Sequence, residues 1–350
     1  MRILVTGANG FVGDAVVRAV IRQGHKVDAL VRPTSSHSFD DLERNEDLTL
    51  VRLDIRDVSG MSTALIGVDA VIHLAAAKAG DFHTQFATTV VGTEALLEAM
   101  SNAGVRRLVA VSSFSVYDFE QIPSESALTE TSPIVGRTSR RDDYSSTKRI
   151  QEDLCRGYSG NGTEVVVVRP GMIYGPFELW HALLGSHVGP LFWRIGRNAR
   201  LPMIFVDNAA DAMVLAASVP GAADETFNLV DNAPPTQDQY VKIVTKHITP
   251  PKHFVVPWKV MNAATKALSV TNNILWGGQA KFPGILVWSK LQARFKPLTY
   301  PNSRAKALLG WEPAVGLEDA IKLSVLRENQ ANQANQANHA NHAGHPTSTL

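Results

Sequence analysis

The chain has 350 residues, of which 45% are hydrophobic and 19% charged, and its formal net charge is +1. This composition can build one large core or two domains, and it argues against disorder of the whole chain and against a large nucleic-acid-binding surface. With a single cysteine, no secretory leader pattern before the first strand and no run of about 18 apolar residues, we expect a reduced, cytoplasmic protein without a transmembrane helix.

Short apolar segments alternate with helix-length segments along the first half of the chain. In order they are RILVTG, a helix from about Gly10 to Gln23, KVDALVR, LTLVRLDI, AVIHLAA, a helix ending near Ala103, RLVAVSS and EVVVVRP. Because these strands are continuous apolar runs, they predict a parallel sheet covered by helices on both faces. We therefore expect an α/β fold of the Rossmann type, a doubly wound parallel sheet with its ligand crevice at the carboxyl ends of the strands.

Three glycines in the segment TGANGFVG follow the first predicted strand and open the first helix. Gly7 would permit a tight turn, Gly10 would let a pyrophosphate approach the backbone, and Gly13 would let the helix pack against the strand. The free backbone N–H groups and the dipole at this end of a helix favour an anion. Strand, glycines, helix and second strand together indicate a dinucleotide site rather than a plain structural turn.

The end of the second predicted strand bears on which dinucleotide binds. An NAD site usually has an acidic residue there for the ribose 2′-hydroxyl, whereas an arginine can meet a 2′-phosphate. The sequence has Val31 followed by Arg32, and Asp28 lies too early on the strand to reach the ribose. We therefore predict NADP as the cofactor, with NAD as the alternative if Arg32 is only a solvated strand end.

The segment YSSTK places Tyr144 and Lys148 four residues apart, on one face of a helix. A phenol is a poor acid/base catalyst at neutral pH unless its anion is stabilised, and an adjacent ammonium does this. Such a pair alone is typical of an ordinary exposed helix face. Here, however, Ser112 and Ser113 end a strand at the edge where the crevice opens, and a hydroxyl there is suited to hold a substrate oxygen for the tyrosine.

Nine segments carry a family resemblance. They are TGANGFVG, LDIRD at 53–57, HLAA at 73–76, VVGTEALLEA at 90–99, VSSFSVY at 111–117, YSSTK at 144–148, RPGMIYGP at 169–176, VDNAADA at 206–212 and SRAKALLGWEP at 303–313. In order and spacing they resemble the extended short-chain dehydrogenases/reductases of the epimerase/dehydratase group. On this resemblance we expect a dinucleotide-binding domain at 1–175 with a return segment at about 204–230, and a smaller, discontinuous substrate region at 176–203 and 231–327.

The resemblance also implies roles for individual residues. Tyr144 would be the acid/base, Ser113 the catalytic serine, and Lys148 the residue that holds the nicotinamide ribose and lowers the pKa of Tyr144. Asp54 and Ile55 would flank the adenine. The residues implied to contact the cofactor are Gly7, Gly10, Phe11, Val12, Gly13, Arg32, Asp54, Ile55, Leu74, Ala75, Ala76, Tyr144, Lys148, Pro170 and Ile173.

Three positions depart from the family pattern. Thr89 stands where many members have an asparagine that organises a proton relay. Members acting on nucleotide sugars often have an asparagine and an arginine that grip the diphosphate, but this chain has Met172 and Leu201 there, with Arg200 one residue off. These departures weaken the nucleotide-sugar interpretation.

Five of the six tryptophans lie in 177–200 and 252–296, outside the expected cofactor domain. Aromatic side chains at this density are typical of a small domain's core, and the alternatives are an apolar substrate pocket or a peripheral membrane contact through Trp and Lys. This pattern of aromatic residues, together with the segment from 293 to 313, most resembles the branch of 3β-hydroxysteroid dehydrogenases and dihydroflavonol reductases. Those enzymes interconvert a secondary alcohol and a ketone.

The end of the chain has a different composition. From Asn329 to Ala343 a triplet of Asn, then Gln or His, and Ala repeats, and it offers no apolar face to bury. We therefore expect 328–350 to be a disordered low-complexity tail. Three spaced histidines on such a tail would make a weak metal site, so no metal is expected.

We therefore expect an NAD(P)-dependent oxidoreductase acting by hydride transfer on a small, largely apolar alcohol or ketone, with Tyr144 as acid/base. The alternatives are a nucleotide-sugar epimerase or dehydratase with bound NAD(P), a nucleotide-sensing regulatory protein, and a constellation that is only structural. The resemblance further suggests a homodimer, in which two long helices at about 84–103 and 144–160 would pair across the interface.

Overall fold

The computed structural model describes residues 1–36, 39–42, 44–136, 142–160 and 162–343. Its strands are β1 (Arg2–Thr6), β2 (Lys26–Val31), β3 (Leu48–Arg52), β4 (Ala70–His73), β5 (Arg107–Val111), β6 (Glu164–Pro170), β7 (Met172–Tyr174), β8 (Gly185–Val188), β9 (Leu191–Ile195), β10 (Met203–Phe205), β11 (Thr226–Leu229) and β12 (His253–Val256). Its helices are α1 (Phe11–Arg22), α2 (Val58–Ala64), α3 (Phe82–Phe86), α4 (Gly92–Ala103), α5 (Asp143–Gly157), α6 (Val206–Ser218), α7 (Gln237–Val244), α8 (Trp258–Trp276), α9 (Trp288–Phe295), α10 (Ser303–Leu309) and α11 (Leu317–Ala343).

Seven parallel strands form the main sheet, in the order β11-β6-β5-β4-β1-β2-β3. Strand β1 lies near its centre, with Val5 opposite both Ala29 and Ile72. The six strands predicted from apolar runs are all present, and β11 adds a seventh beside β6. The predicted α/β fold, a doubly wound parallel sheet of the Rossmann type, is confirmed.

Helices cover both faces of this sheet. On one face α1 and α6 contribute Val16 and Ala209 to the largest apolar cluster, and on the other face α2, α4 and α5 contribute Met61, Leu96 and Cys155 to a second cluster. The two clusters bury the sheet completely at its centre. A crevice can therefore open only at the ends of the strands.

The remaining strands form two small sheets. Strands β7 and β10 pair in parallel, and β8, β9 and β12 form a three-stranded sheet. A fourth apolar cluster joins this second sheet to α8 and α9, with Trp193 and Trp258 packed at its edge. Both tryptophans therefore have the core role expected for most of this group, whereas Trp276 at the end of α8 is 52% exposed.

The end of the chain returns to the main sheet. The Trp311 indole donates to Asn208 O on α6 at 3.1 Å, and the Asn208 side chain both donates to Val315 O and accepts from Val315 N. Ala320 and Ile321 of α11 are fully buried in the largest apolar cluster. Residues 311–321 therefore complete the face of the sheet that α6 begins.

The helix expected over 84–103 is broken into α3, a wider turn at Ala87–Val91, and α4. Within that turn the Thr89 hydroxyl accepts a hydrogen bond from Ala77 N at 3.0 Å, and Thr93 donates back to Thr89 O. Two threonine hydroxyls thus bond to backbone groups at this turn, and such bonds stabilise a wide turn within a helix.

Helix α11 continues to Ala343, which differs from the disorder expected from residue 328 onward. The repeat is rich in alanine and glutamine, and both favour a helix even without a buried face. Residues 344–350, which include His345, lie outside the described residues. None of the helices in the described ranges is long and apolar enough to cross a membrane.

Candidate active site

The glycine turn between β1 and α1 has the geometry that an anion site requires. Gly7 has φ +67°, a conformation that favours glycine, and a Cβ at residue 13 would lie 2.1 Å from Gly7 O. No side chain caps α1 at Gly10. The first N–H groups of the helix, at Phe11 and Val12, have no acceptor within it and face the crevice end of the sheet.

Beside this turn, the carboxyl ends of β1 and β4 are tied together by one hydroxyl. Thr6 Oγ1 accepts from the N–H groups of Leu74 and Ala75, each at 3.1 Å, and bonds to His73 Nδ1 at 2.8 Å. With its oxygen occupied by two donors, the Thr6 hydroxyl gives its proton to Nδ1, which leaves the ring proton on Nε2. Leu74 and Ala75 are thereby fixed so close to the glycine turn that a Cβ at residue 7 would lie 3.1 Å from Ala75 N.

A buried polar cluster continues from His73 to α5. His73 Nε2 bonds to Thr93 at 2.9 Å, and the Gln151 amide donates to Thr93 and to Ala75 O. Burial, with a further contribution from the charge of Lys148, lowers the pKa of His73 to about 3. The imidazole is therefore neutral at physiological pH and acts as a fixed hydrogen-bonding group.

Lys148 ends this cluster. Its ammonium donates to Val111 O at 2.6 Å and to the Gln151 side-chain oxygen. Burial lowers the pKa of Lys148 to about 8, so the group is still largely charged at neutral pH. Two of the three N–H groups of Lys148 are thus held by acceptors of the protein, one of them at the carboxyl end of β5.

Tyr144 lies one turn before Lys148 on α5, and its phenol lies beside the Ser113 hydroxyl, close enough for that hydroxyl to affect its pKa. Burial raises the pKa of Tyr144, and the Ser113 hydroxyl opposes this increase. The Ser113 oxygen also accepts from Ser115 N at 3.1 Å, so its hydrogen is available for a second oxygen. From the sequence we expect Lys148 to lower the pKa of Tyr144. In the structure, however, the Lys148 ammonium donates to Val111 O and to the Gln151 side-chain oxygen.

One turn after Lys148, on the same face of α5, the helix is fixed by a buried ion pair. Arg169 donates to both oxygens of Glu152, and Ser112 donates to Glu152 at 2.6 Å. Burial acts to raise the pKa of Glu152, but the bonds from Arg169 and Ser112 lower it to about 2. Arg169 also donates to the Tyr117 hydroxyl, which donates to Asn228 on β11. Helix α5 is therefore locked to β5, β6 and β11.

At the far end of the crevice, Arg32 is exposed directly after β2. In the neighbouring turn Asn9 donates to the Ser35 hydroxyl at 3.0 Å, which links this loop to the glycine turn. After β3, hydrogen bonds from Arg56 lower the pKa of Asp54 to about 2, and Ile55 packs under Gly92. The Asp54 carboxylate is thus occupied by an intrachain partner.

Residues 170–175 close the other side. Pro170 ends β6 and Ile173 lies in β7, half-buried. A Cβ at Gly175 would lie 3.0 Å from the Phe11 ring, so this segment packs on the start of α1. Met172 is half-buried and Leu201 is buried, whereas Arg200 is exposed and donates to Pro234 O.

The structure thus brings Ser113 and Tyr144 near each other, with the glycine turn, Leu74–Ala76 and Lys148 around the same end of the sheet. Sequence reasoning missed His73, Gln151 and Glu152. Gln151 and Glu152 follow Lys148 by three and four residues, so helical spacing alone could have placed them on its face.

Comparisons with known proteins agree with this geometry. The family model "NAD dependent epimerase/dehydratase family" matches residues 3–229. A 3 beta-hydroxysteroid dehydrogenase/Delta 5-->4-isomerase of Mycobacterium tuberculosis is 33% identical over 253 residues, covering 67% of this chain and 65% of that protein. "Sterol demethylase protein B" of Methylococcus capsulatus is 34% identical over 193 residues, covering 54% and 56%.

This chain therefore spans between about half and two-thirds of the length of these curated relatives. Among solved structures, DesIV, a dTDP-glucose 4,6-dehydratase from Streptomyces venezuelae with NAD and TYD bound, superposes with a TM-score of 0.70 at 21% identity, covering 95% of this chain and 98% of that one. This likeness concerns the fold. The family match spans the sheet, the glycine turn and the Ser113–Tyr144 pair, and the chain belongs to the NAD-dependent epimerase/dehydratase family.

Proposed function

We propose that this chain is an NAD(P)-dependent oxidoreductase that interconverts a secondary alcohol and a ketone on a small, largely apolar substrate. The observation that carries the proposal is the placement of the Tyr144 phenol beside the Ser113 hydroxyl, which follows β5, with Lys148 one helical turn further along α5. A phenol and a hydroxyl donor around one point suit proton transfer to a carbonyl oxygen.

The residues present fit a dinucleotide. Gly7 makes the turn possible, and Gly13 packs so closely on it that a Cβ at residue 13 would lie 2.1 Å from Gly7 O, so α1 begins directly at the turn. The Phe11 and Val12 N–H groups suit a pyrophosphate, and Lys148 suits a ribose hydroxyl. Bound there, the nicotinamide would supply the hydride chemistry, while the protein supplies geometry and proton transfer.

The protein's own part of the reaction is the movement of one proton. Ser113 uses its free hydrogen to hold the substrate oxygen, and Tyr144 gives its proton to that oxygen in reduction or takes it in oxidation. Because burial raises the pKa of Tyr144, the phenol is protonated before reaction, which suits the reductive direction. A ribose on Lys148 would compete with Val111 O and Gln151 for its N–H groups and so bring its charge nearer the phenol.

NADP is the proposed cofactor, with NAD as the alternative. Arg32 is an exposed cation after β2, and Asp54 on the adjoining turn is neutralised by Arg56. Residues 32–36, directly after β2, include no carboxylate that would repel a 2′-phosphate.

A largely apolar substrate is supported by the buried aromatic cluster that begins directly after Ser113. Phe114 packs against Tyr117 and Tyr300 at ring centroid distances of 5.6 and 6.0 Å. Met172 and Leu201 stand where nucleotide-sugar enzymes of this family often carry polar residues. Relatives whose names refer to steroids and to 2-alkyl-3-oxoalkanoates agree with such a substrate.

The second candidate is a nucleotide-sugar epimerase or dehydratase, because relatives with those names also match. Such an enzyme would regenerate its cofactor in each cycle, so no net change in NADPH absorbance would accompany turnover.

We further propose a cytoplasmic homodimer. Between α4 and α5 lies an outward-facing, mainly apolar groove lined by Leu97, Ile150, Asp153, Leu154, Gly157 and Tyr158. A pair of helices from a second copy would fill it.

The test is NADPH oxidation with a panel of apolar ketones, comparing the wild type, Tyr144→Phe and Tyr158→Phe. Loss of a positioned acid typically lowers kcat by about 10²–10⁴-fold, so Tyr144→Phe should be nearly inactive. Tyr158→Phe, on the same helix but outside the crevice, should keep full activity. Equal activity of all three proteins would remove Tyr144 from the reaction and overturn the proposal.

A further inference from the structure

We propose that α8 is a peripheral membrane-binding element that seats its outer face on an anionic lipid surface. The proposal stands apart from the reaction proposed above, and it begins with which face of α8 is apolar. Only Met261 and Thr265 of its 19 residues are buried. The helix therefore presents most of its circumference to solvent.

The outer face of α8 is formed mainly by apolar side chains, interrupted by Thr271, where a surface helix normally carries polar ones. They recur at the spacing of a single helical stripe and are all exposed: Val260, Ala263, Ala264, Ala267, Val270 and Ile274. Ile274 is 75% exposed, and Leu275 and Trp276 at the end of the helix are 63% and 52% exposed. Continuous exposed apolar surface of this kind marks an interaction site.

The sequence on both sides of this stripe carries positive charge only. Between residues 239 and 311 it has eleven lysines and arginines and no aspartate or glutamate. Lys259 and Lys266, seven residues apart on one side of α8, are exposed beside the stripe, and Lys281 is exposed just after it. Apolar residues with a terminal tryptophan, flanked by lysines, match the headgroup and acyl layers of a membrane with anionic lipids.

The helix is held firmly enough to act as one surface. Asn262 accepts from the Trp288 indole of α9 at 3.0 Å and from Gln292, and the Lys266 ammonium lies 5.9 Å from the Trp288 ring centre. At its end Asn272 exchanges two hydrogen bonds with Ala280. These contacts hold the inner face of α8 and do not involve the stripe, which leaves the stripe available to a partner.

A lipid surface fits this face better than a second copy of the chain. A second copy would present the same positive face, with Lys259 and Lys266 and no aspartate or glutamate between residues 239 and 311, and like charges would oppose it. An anionic bilayer instead offers opposite charge beneath the lysines and an apolar layer for Ile274 and Trp276.

The experiment is flotation of the full chain with vesicles of phosphatidylcholine alone or of phosphatidylcholine with phosphatidylglycerol. We expect binding at least about tenfold stronger to the anionic vesicles and weakened by salt. Ile274→Ser should weaken it at least about tenfold, and the double variant Lys259→Glu/Lys266→Glu should abolish the preference for anionic lipid.

The matched controls are Ile66→Ser, which removes another isoleucine of which 66% is exposed, and Lys26→Glu/Lys322→Glu, which reverses two exposed lysines, at the start of β2 and on α11. Both should bind like the wild type. Equal binding to both vesicle types, or no vesicle binding together with dimerisation that Ile274→Ser abolishes, would overturn the proposal. Because flotation measures no turnover, its result is independent of whether the proposed reaction is correct.

Discussion

The crevice end of the sheet and the outer face of α8 both reverse the usual distribution of polar and apolar groups, and they do so in opposite directions. At the crevice, charged and polar side chains such as Glu152, Lys148 and His73 are buried. On α8, apolar side chains such as Ile274 are exposed. The crevice groups satisfy one another through a closed set of hydrogen bonds, whereas the α8 stripe is left uncovered by the described part of its own chain.

This difference separates two kinds of functional surface. A buried polar group is costly when it lacks a partner, so the cluster from Thr6 to Lys148 must be complete before any ligand arrives. Leaving an apolar group exposed costs much less free energy, so such a group can stay without a partner in the free protein. The crevice is therefore prepared for its ligand by hydrogen bonds within the protein. The α8 stripe is prepared by being left exposed.

The largest effect is expected from breaking the buried ion pair. Glu152→Gln leaves the Arg169 guanidinium without its counter-charge in a site where both side chains are almost fully buried. We expect a loss of about 3–5 kcal/mol in the free energy of unfolding, measured by urea denaturation. Glu98→Gln, an exposed change on α4, should stay within about 0.5 kcal/mol of the wild type. Similar values for the two variants would mean that the pair does not hold α5.

Arg32→Ala removes a charge at the edge of the crevice rather than in its interior. If the guanidinium meets a 2′-phosphate, NADPH affinity should fall by about 10–100-fold, since a charge-assisted hydrogen bond contributes about 1.5–3 kcal/mol. NADH affinity should not change. Fluorescence titration with both nucleotides gives the ratio, and an equal loss for both would assign Arg32 no role in cofactor choice.

The pH dependence of stability tests the neutral histidine. The pKa of His73 is lowered from 6.5 to about 3 in the fold, so the unfolded chain binds the proton first as the pH falls. Its contribution is fully present above pH 6.5 and declines by about 1.4 kcal/mol per pH unit below that. His73→Gln should have a shallower decline between about pH 6 and pH 4.

The buried carboxyl of Asp231 also makes the stability depend on pH, with the opposite sign. Its effect cancels when the wild type is compared with His73→Gln. Burial raises the pKa of Asp231 to about 6, so its contribution grows as the pH falls through that value, equally in both proteins. Parallel stability curves for the wild type and His73→Gln would contradict a neutral, buried His73.

The smallest effect is expected on α8. Ile274→Ser should change the free energy of unfolding by less than about 0.5 kcal/mol, because the side chain is exposed and makes little contact within the fold. Urea denaturation without lipid measures this change. A loss of several kcal/mol would show that the stripe is covered within the chain, and the contrast between the two regions would disappear.

Most of the sheet could be predicted from the sequence, because continuous apolar strands and a glycine turn are local signals. The roles of Ser113, Tyr144 and Lys148 are implied by the family resemblance and stay predictions. The direction of the Lys148 ammonium could not be predicted, since it depends on Gln151 and on Val111 O from another element. The interruption at Thr89 likewise needs a bond from Ala77, twelve residues away. The spacing of the apolar residues in α8 predicts a helix with two different faces. It does not predict which face packs against the rest of the protein.

The bonds from Trp311 and Val315 to Asn208 have a consequence for the order in which the protein is made. The ribosome delivers α6 long before the residues that cover it, and Ile321 is needed to close the same cluster. At about 5–20 residues per second, synthesis from β11 to Ile321 takes on the order of 5–20 s. During that interval the apolar side of α6 is open to chaperones, and the first half of the chain cannot finish folding until almost the whole chain has been translated.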